Sequence, residues 1–280
     1  MGRAMQDDSM VQLAERIWDN RAREGYINCV PALGLTREMV KEFVTGQRDD
    51  LPGSAVDARE RPVFQDVKGK QVLCLASGGG QQSAVFGLLG AEVTVFDLCE
   101  GQLKADRVAA QHYGYEVRTV KGDMRDLSEF ADAFFDLVYQ AISICWVPDV
   151  RPVYREVYRV LRPGGVYSVA HLNPATYPFC FEGGRAGWDG TGYRLADRYQ
   201  GGPILRNAAG VENMEEGEPT GEHRHLLRDI FGGLLEAGFV IRDVGESALH
   251  LKEPITGEPG SHEHSLHFIA EYFGIVAQKG

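Results

Sequence analysis

The stretch Gln71-Val-Leu-Cys-Leu-Ala76, followed at once by Ser77-Gly-Gly-Gly80, constrains this chain more than any other. It is short, β-prone and almost wholly apolar, as a strand covered by helices on both faces of a parallel sheet must be. A run of glycines straight after such a strand lets a ligand come close to the backbone, and free N–H groups there favour carboxylate or phosphate oxygens. After a helix through Ala84 to Leu89 comes Glu92-Val-Thr-Val-Phe-Asp97, a second strand ending in an acid. Another helix and a third strand, Glu116–Val120, complete a βαβαβ pattern. Asp136–Gln140 reads as a fourth strand and Val150–Leu161 as a helix. Arg162-Pro-Gly-Gly165 turns into a fifth strand, Val166–Leu172. The fold class expected is α/β, a doubly wound, mostly parallel sheet.

The flanks read differently. Val11–Tyr26 has apolar residues at Leu13, Ala14, Ile17 and Trp18. The stretch from Thr36, a plausible helix cap, to Gly46 places Met39, Val40, Phe43 and Val44 on one face. Residues 1–69 are therefore expected to form an N-terminal helical cap and 70–172 the ligand-binding core. Residues 173–224, rich in Gly, Pro, Asn and aromatics with little periodicity, are expected to be an inserted lid or substrate segment. Within 225–280, a helix from His225 to Gly238, a strand from Phe239 to Val244 and a closing element from His267 to Ala277, strand with a helical alternative, should complete the core sheet.

A net charge of −11 over 280 residues opposes binding to nucleic acid, which needs clustered Lys and Arg, so a small-molecule partner is expected. Five cysteines without CxxC spacing offer neither a zinc site nor a disulfide framework, and no run reaches the roughly 18 apolar residues of a membrane span. A cytoplasmic protein without metal is expected, its oligomeric state unreadable.

Two acids carry the chemistry. An ionised carboxylate has acceptor lone pairs only, so Asp97 at its strand tip suits a ribose diol. Asp123, in Lys121-Gly-Asp-Met-Arg125 at the same edge, suits an adenine amino group beside the polarisable Met124. An acid at a strand end also reads as a helix cap.

Together, Val72–Gly80, Val95-Phe-Asp-Leu98, Gly122-Asp-Met124, Phe135-Asp-Leu-Val138 and Leu161-Arg-Pro-Gly-Gly165 resemble, in order and spacing, the class I methyltransferases that use S-adenosylmethionine (AdoMet). The resemblance covers about Lys70 to Leu172 and implies a Rossmann-like methyltransferase fold and transfer of a methyl group to a small-molecule acceptor, leaving S-adenosylhomocysteine. It implies that Ser77, Gly78, Gly79 and Gly80 line the methionine part of AdoMet, that Asp97 and Leu98 hold the ribose, and that Asp123 and Met124 hold the adenine. Gln102 stands where the family often has an apolar residue beside the nucleoside, and Gln140 and Ala141 should lie near the sulfonium. This sequence departs from the family at Cys74, where an acid is usual, and at Ala76, where a glycine is usual.

A sulfonium is already a strong electrophile, so alignment and exclusion of water matter more than a base. If the acceptor must lose a proton, His171 and His225 are the candidates, although each reads first as a structural or surface histidine. Trp146, Tyr177, Phe179, Trp188 and Tyr193 could wall an acceptor pocket or pack in cores of their own. A nicotinamide-dependent oxidoreductase would use the same loop and Asp97, but Ser83 stands where the last glycine of GxGxxG belongs. A non-catalytic AdoMet-binding protein is the third reading.

Overall fold

Strand β1 (Gln71–Leu75) buries its last four residues completely, because it lies in the middle of a seven-stranded sheet. The other strands among the described residues are β2 (Glu92–Asp97), β3 (Val117–Lys121), β4 (Phe135–Gln140), β5 (Leu161–Leu172), β6 (Gly202–Leu205), β7 (Pro219–Arg224), β8 (Phe239–Glu246) and β9 (Tyr272–Lys279). The large sheet runs β3-β2-β1-β4-β5-β9-β8, parallel from β3 to β5, with β9 antiparallel to both of its neighbours. The computed structural model describes residues 2–53, 56, 58–176, 188–194, 199–205, 219–246 and 254–280. Strand order reverses between β1 and β4, and in open α/β sheets the crevice outside the strand ends at such a reversal is where ligands bind.

The helices are α1 (Gly2–Glu24), α2 (Arg37–Val44), α3 (Gln82–Leu88), α4 (Glu100–Tyr113), α5 (Arg151–Val160), α6 (Leu227–Ala237) and the single turn α7 (His262–Ser265). Alternation along β1 sorts the core into two layers. Leu73 and Leu75 join Tyr154, Val157, Ile230 and Leu234 of α5 and α6 on one face, while Val72 and Cys74 join Phe86, Phe43 and Val40 of α3 and α2 on the other. Residues from Ala32 to Val67 thus share that layer of the core with the sheet, while Ala14 of α1 packs in a separate small cluster with Cys145 and Trp146. Thr36 Oγ1 accepts from Met39 N at 3.1 Å, the cap expected of it, and Gly238 ends α6 with φ +98°.

Three differences from the sequence reading have local causes. Helix α1 begins near the N-terminus rather than at Val11, since no Gly or Pro interrupts the intervening residues. Strand β5 starts at Leu161: the Arg-Pro-Gly-Gly turn is absorbed as a register shift against β4, with Gly164 at φ +76°. The closing element expected over His267–Ala277 is a strand, β9, which starts only at Tyr272, and the single turn α7 precedes that range rather than replacing the strand. Among the described residues of the insertion, β6 and β7 form an antiparallel ribbon whose sequences, Gly-Pro-Ile-Leu and Pro-Thr-Gly-Glu-His-Arg, gave no alternating signal.

At the end of β1, Ala76 takes φ +46°, where L-residues with a Cβ are strained by about 1–2 kcal/mol. Ala76→Gly should therefore leave unfolding free energy unchanged or raise it by up to about 1 kcal/mol, whereas the same change at an ordinary position costs about 0.5–1 kcal/mol. Urea titration checks the sign.

Candidate active site

The glycine turn is held from within. Ser77 Oγ donates to Leu75 O and accepts from Ala141 N, both at 3.1 Å, tying the loop after β1 to the loop after β4. Gly78 N donates to Asp97 Oδ2 at 3.1 Å; Gly79 N and Gly80 N donate to the two carboxylate oxygens of Asp106, at 3.1 and 3.0 Å. The expectation of free N–H groups facing a ligand is thus corrected at all three glycines, because acids on β2 and α4 already accept from them. Small size is what the turn requires: a Cβ on Gly78 would lie 2.5 Å from Gln102 Cβ, and one on Gly80 2.6 Å from Ala105 O.

Asp97 and Asp123 stand on adjacent strand tips, since Asp97 pairs with Lys121 across β2 and β3 and Gly122 N donates to Asp97 O at 3.0 Å. Asp97 is buried, and burial pushes its pKa up to about 6 against the pull of backbone donors such as Cys99 N, at 2.9 Å from Oδ1. Asp123 is half-buried. Arg125 clamps it with Nη2 at 2.6 Å from Oδ2, and Arg125 N donates to Oδ1 at 2.9 Å.

These groups open onto a cavity of about 410 Å³, within the range of small-molecule sites. Of the residues expected there, Ser77, Gly78, Asp97, Leu98, Gln102, Asp123, Met124, Ala141 and Trp146 line it. Gly79 and Gly80 do not; they face Asn28, Pro31 and Ala105 instead. Gln140 is also behind the wall, with Nε2 3.2 Å from both Met124 Sδ and Ser143 Oγ and its Oε1 accepting from the Tyr167 hydroxyl. Trp188 and Tyr193 lie elsewhere, in a cluster with His264 and Phe268, where the Tyr193 hydroxyl is 2.6 Å from His264 Nδ1. Tyr177 and Phe179 lie outside the described residues.

Neither candidate base reaches the cavity. His171 is fully buried, hydrogen-bonded to the Tyr154 hydroxyl at 3.2 Å and stacked on Phe273; His225 Nε2 donates to Val147 O at 2.7 Å. Burial lowers both pKa values, to about 3 and about 4. In the unfolded chain each takes up a proton near pH 6.5. Their contribution is therefore whole above that value and is lost progressively as pH falls toward 4. Between pH 7 and pH 5 the loss should be about 1–2 kcal/mol per histidine, and His171→Phe should flatten the acid limb of unfolding free energy against pH.

Sequence reasoning missed the cover of the cavity. Val11, Ala14 and Trp18 of α1 line it, and Trp18 meets Trp146 edge-on with ring centroids 5.5 Å apart. The spacing of Ala14 and Trp18 showed a helix face, but not what that face covers. Tyr272 on β9 and Glu60 add polar points, Glu60 accepting from the Tyr139 hydroxyl at 2.8 Å.

An AdoMet-sized ligand fits the chemistry of this donor set. The Asp97 carboxylate is buried at a loop narrowed to Cα width by Gly78, and Gln102 Oε1, a buried acceptor on the same wall, has no hydrogen-bond partner. Gln102 Oε1 wants a hydroxyl or amino donor, since a buried acceptor left unmatched costs about 1–3 kcal/mol, and the Asp97 carboxylate keeps lone pairs beyond those taken by Gly78 N and Cys99 N.

The comparisons agree. A profile described as a methyltransferase domain matches residues 73–169. The crystal structure of an S-adenosylmethionine-dependent methyltransferase from Mesorhizobium loti superposes with a TM-score of 0.61 at 22% identity, over 79% of this chain and 97% of that one, a likeness of fold. An uncharacterized methyltransferase of Bacillus subtilis, YbaJ, is 37% identical over 236 residues, 84% of this chain and 89% of the relative. The chain belongs to the class I AdoMet-dependent methyltransferase family, and it is an enzyme of methyl transfer. The malonyl-[acyl-carrier protein] O-methyltransferase of Salmonella typhimurium is 34% identical over 181 residues, 64% of this chain and 66% of that protein.

Proposed function

We propose that the cavity binds AdoMet along the tips of β1 to β4 and presents its methyl group to a small, largely apolar acceptor under α1. The observation that carries this reading is the meeting of the Asp97 and Asp123 carboxylates with an aromatic wall, Trp18, Trp146 and Tyr272, in one cavity. Asp97 accepts from the ribose hydroxyls, and Gln102 Oε1 gives a second acceptor beside it. Asp123, fixed by Arg125, accepts from the adenine amino group, and Met124 lies against the ring. AdoMet supplies a methyl group already activated on sulfur. The protein aligns the acceptor with the S–CH3 bond, and the indoles keep water from that line.

The insertion, 173–224, serves as the acceptor-side segment. Gly221 of β7 supports this, since a Cβ there would lie 2.6 Å from the Trp146 ring. Some relatives are named for O-methylation, among them the ubiquinone biosynthesis O-methyltransferase of Pseudomonas syringae pv. tomato, and an oxygen acceptor on a small molecule suits this site too. Four described thiols, all buried and free, suit a cytoplasmic enzyme.

Calorimetric titration with S-adenosylhomocysteine and with NADH tests the donor; binding of the first and not the second is expected, and the reverse overturns the reading. Incubation of the enzyme with methyl-labelled AdoMet and a deproteinised cell extract tests the acceptor. Label should pass to an organic-extractable small molecule. Label found only in added protein or nucleic acid overturns the acceptor class.

A further inference from the structure

We infer that Asp106 is the positioning residue of the AdoMet loop, and that it does from α4 the work for which the family carries an acid on β1, at the place of Cys74. This rests on the reading that the cavity takes AdoMet. Asp106 is wholly buried in the middle of α4, where an acid without partners would be strongly destabilising. Its partners lie in the turn and the helix it leads into: Gly79 N, Gly80 N and, on α3, Ser83 Oγ, the last at 2.5 Å. One carboxylate thus fixes both ends of the turn, the two glycines and the first residues of α3.

Cys74 is wholly buried beside it, and the Asp106 charge helps burial to push the Cys74 thiol up. Two acids that close would repel in a dry site and one would be held protonated, so an acid at either place makes a second one costly. The departure at Cys74 and the acid in α4 are then a single exchange. A further consequence concerns the ligand: the amides of Gly79 and Gly80 are spent on Asp106, so the methionine carboxylate is received by other donors.

Two measurements decide it. Amide hydrogen exchange on the ligand-free wild type should show Gly79 and Gly80 protected; rapid exchange of both overturns the clamp, and this readout needs no ligand. Calorimetric titration with S-adenosylhomocysteine should give a dissociation constant raised 10-fold or more in Asp106→Asn, whose amide NH2 opposes one of the donors, and in Asp106→Ala. In Cys74→Asp/Asp106→Ala it should return to within about 3-fold of wild type. Wild-type affinity in Asp106→Asn, or a folded double variant no tighter than Asp106→Ala, overturns the inference. If Asp106→Ala does not fold, Cys74→Asp/Asp106→Asn replaces the double variant with the same two outcomes. Failure of the wild type itself to bind would overturn the AdoMet reading and leave the exchange experiment to judge the clamp.

Discussion

Asp97→Ala raises the dissociation constant for S-adenosylhomocysteine about 100-fold or more, while the ligand-free protein stays folded. A hydrogen bond to a charged group contributes about 1.5–3 kcal/mol, and two hydroxyls of a ribose diol would lose theirs together. Stability should move much less than binding. Burial already pushes the Asp97 pKa up to about 6, so the carboxylate is held at a cost that its removal relieves, and this offsets the lost bonds to Gly78 N and Cys99 N. Asp97→Asn separates the terms, keeping shape and one acceptor oxygen without charge. The sign of the pH effect follows. The ribose needs an acceptor, so binding favours the deprotonated acid, and affinity should weaken by up to about tenfold per pH unit as pH falls below about 6. That slope should shrink in Asp97→Asn. Calorimetry at pH 5 and pH 8 on the three proteins checks all of it; equal affinity for wild type and Asp97→Ala removes the ribose role.

How much of this was readable beforehand depends on how far apart the cooperating residues lie in sequence. The sheet from β1 to β5 could be read because the interior parallel strands are mostly apolar and the edge strand β3 keeps β-branched residues, and Asp97 and Asp123 because one ends β2 and the other follows the end of β3 by two residues. Asp106 could not. In the sequence it is an acid within a helix rich in charged residues, and only the fold, by laying α4 against the turn 26 and 27 residues earlier, makes it the loop's acceptor. His171 failed in the opposite way: a histidine near a strand end looks reactive until the packing of Tyr154 and Phe273 shows it closed off from the cavity. Trp146 and Trp188 were equal candidates by composition. Helix α1 brings Trp18 onto the first, whereas the second is taken up by Tyr193, His264 and Phe268. Aromatic content alone carries no address.

The same logic separates two glycines of one turn, Gly78 and Gly80, in their expected response to a single methyl group. Gly80 has φ +72°, a region that costs an alanine about 1–2 kcal/mol, and its new Cβ would stand 2.6 Å from Ala105 O and 2.8 Å from Pro31 Cβ. The first of those neighbours is backbone in the middle of α4 and cannot step aside without breaking the contacts of Asp106. Gly80→Ala should therefore lower unfolding free energy by about 3 kcal/mol or more. Gly78 lies outside the left-handed region, and its Cβ would meet Asp97 Oδ2 at 3.0 Å, a side-chain end that can rotate away, and Gln102 Cβ at 2.5 Å, which moves only with the first turns of α4. Both residues line the cavity, so either shift disturbs its wall. Gly78→Ala is thus expected to cost less stability than Gly80→Ala but to weaken S-adenosylhomocysteine binding at least 10-fold, through displacement of the very acceptors the ribose needs. Urea unfolding and calorimetry on both variants give the four numbers. An unfolding loss that is larger at Gly78, or a Gly78→Ala protein that binds as wild type, would show that the turn does not hold its acceptors as described.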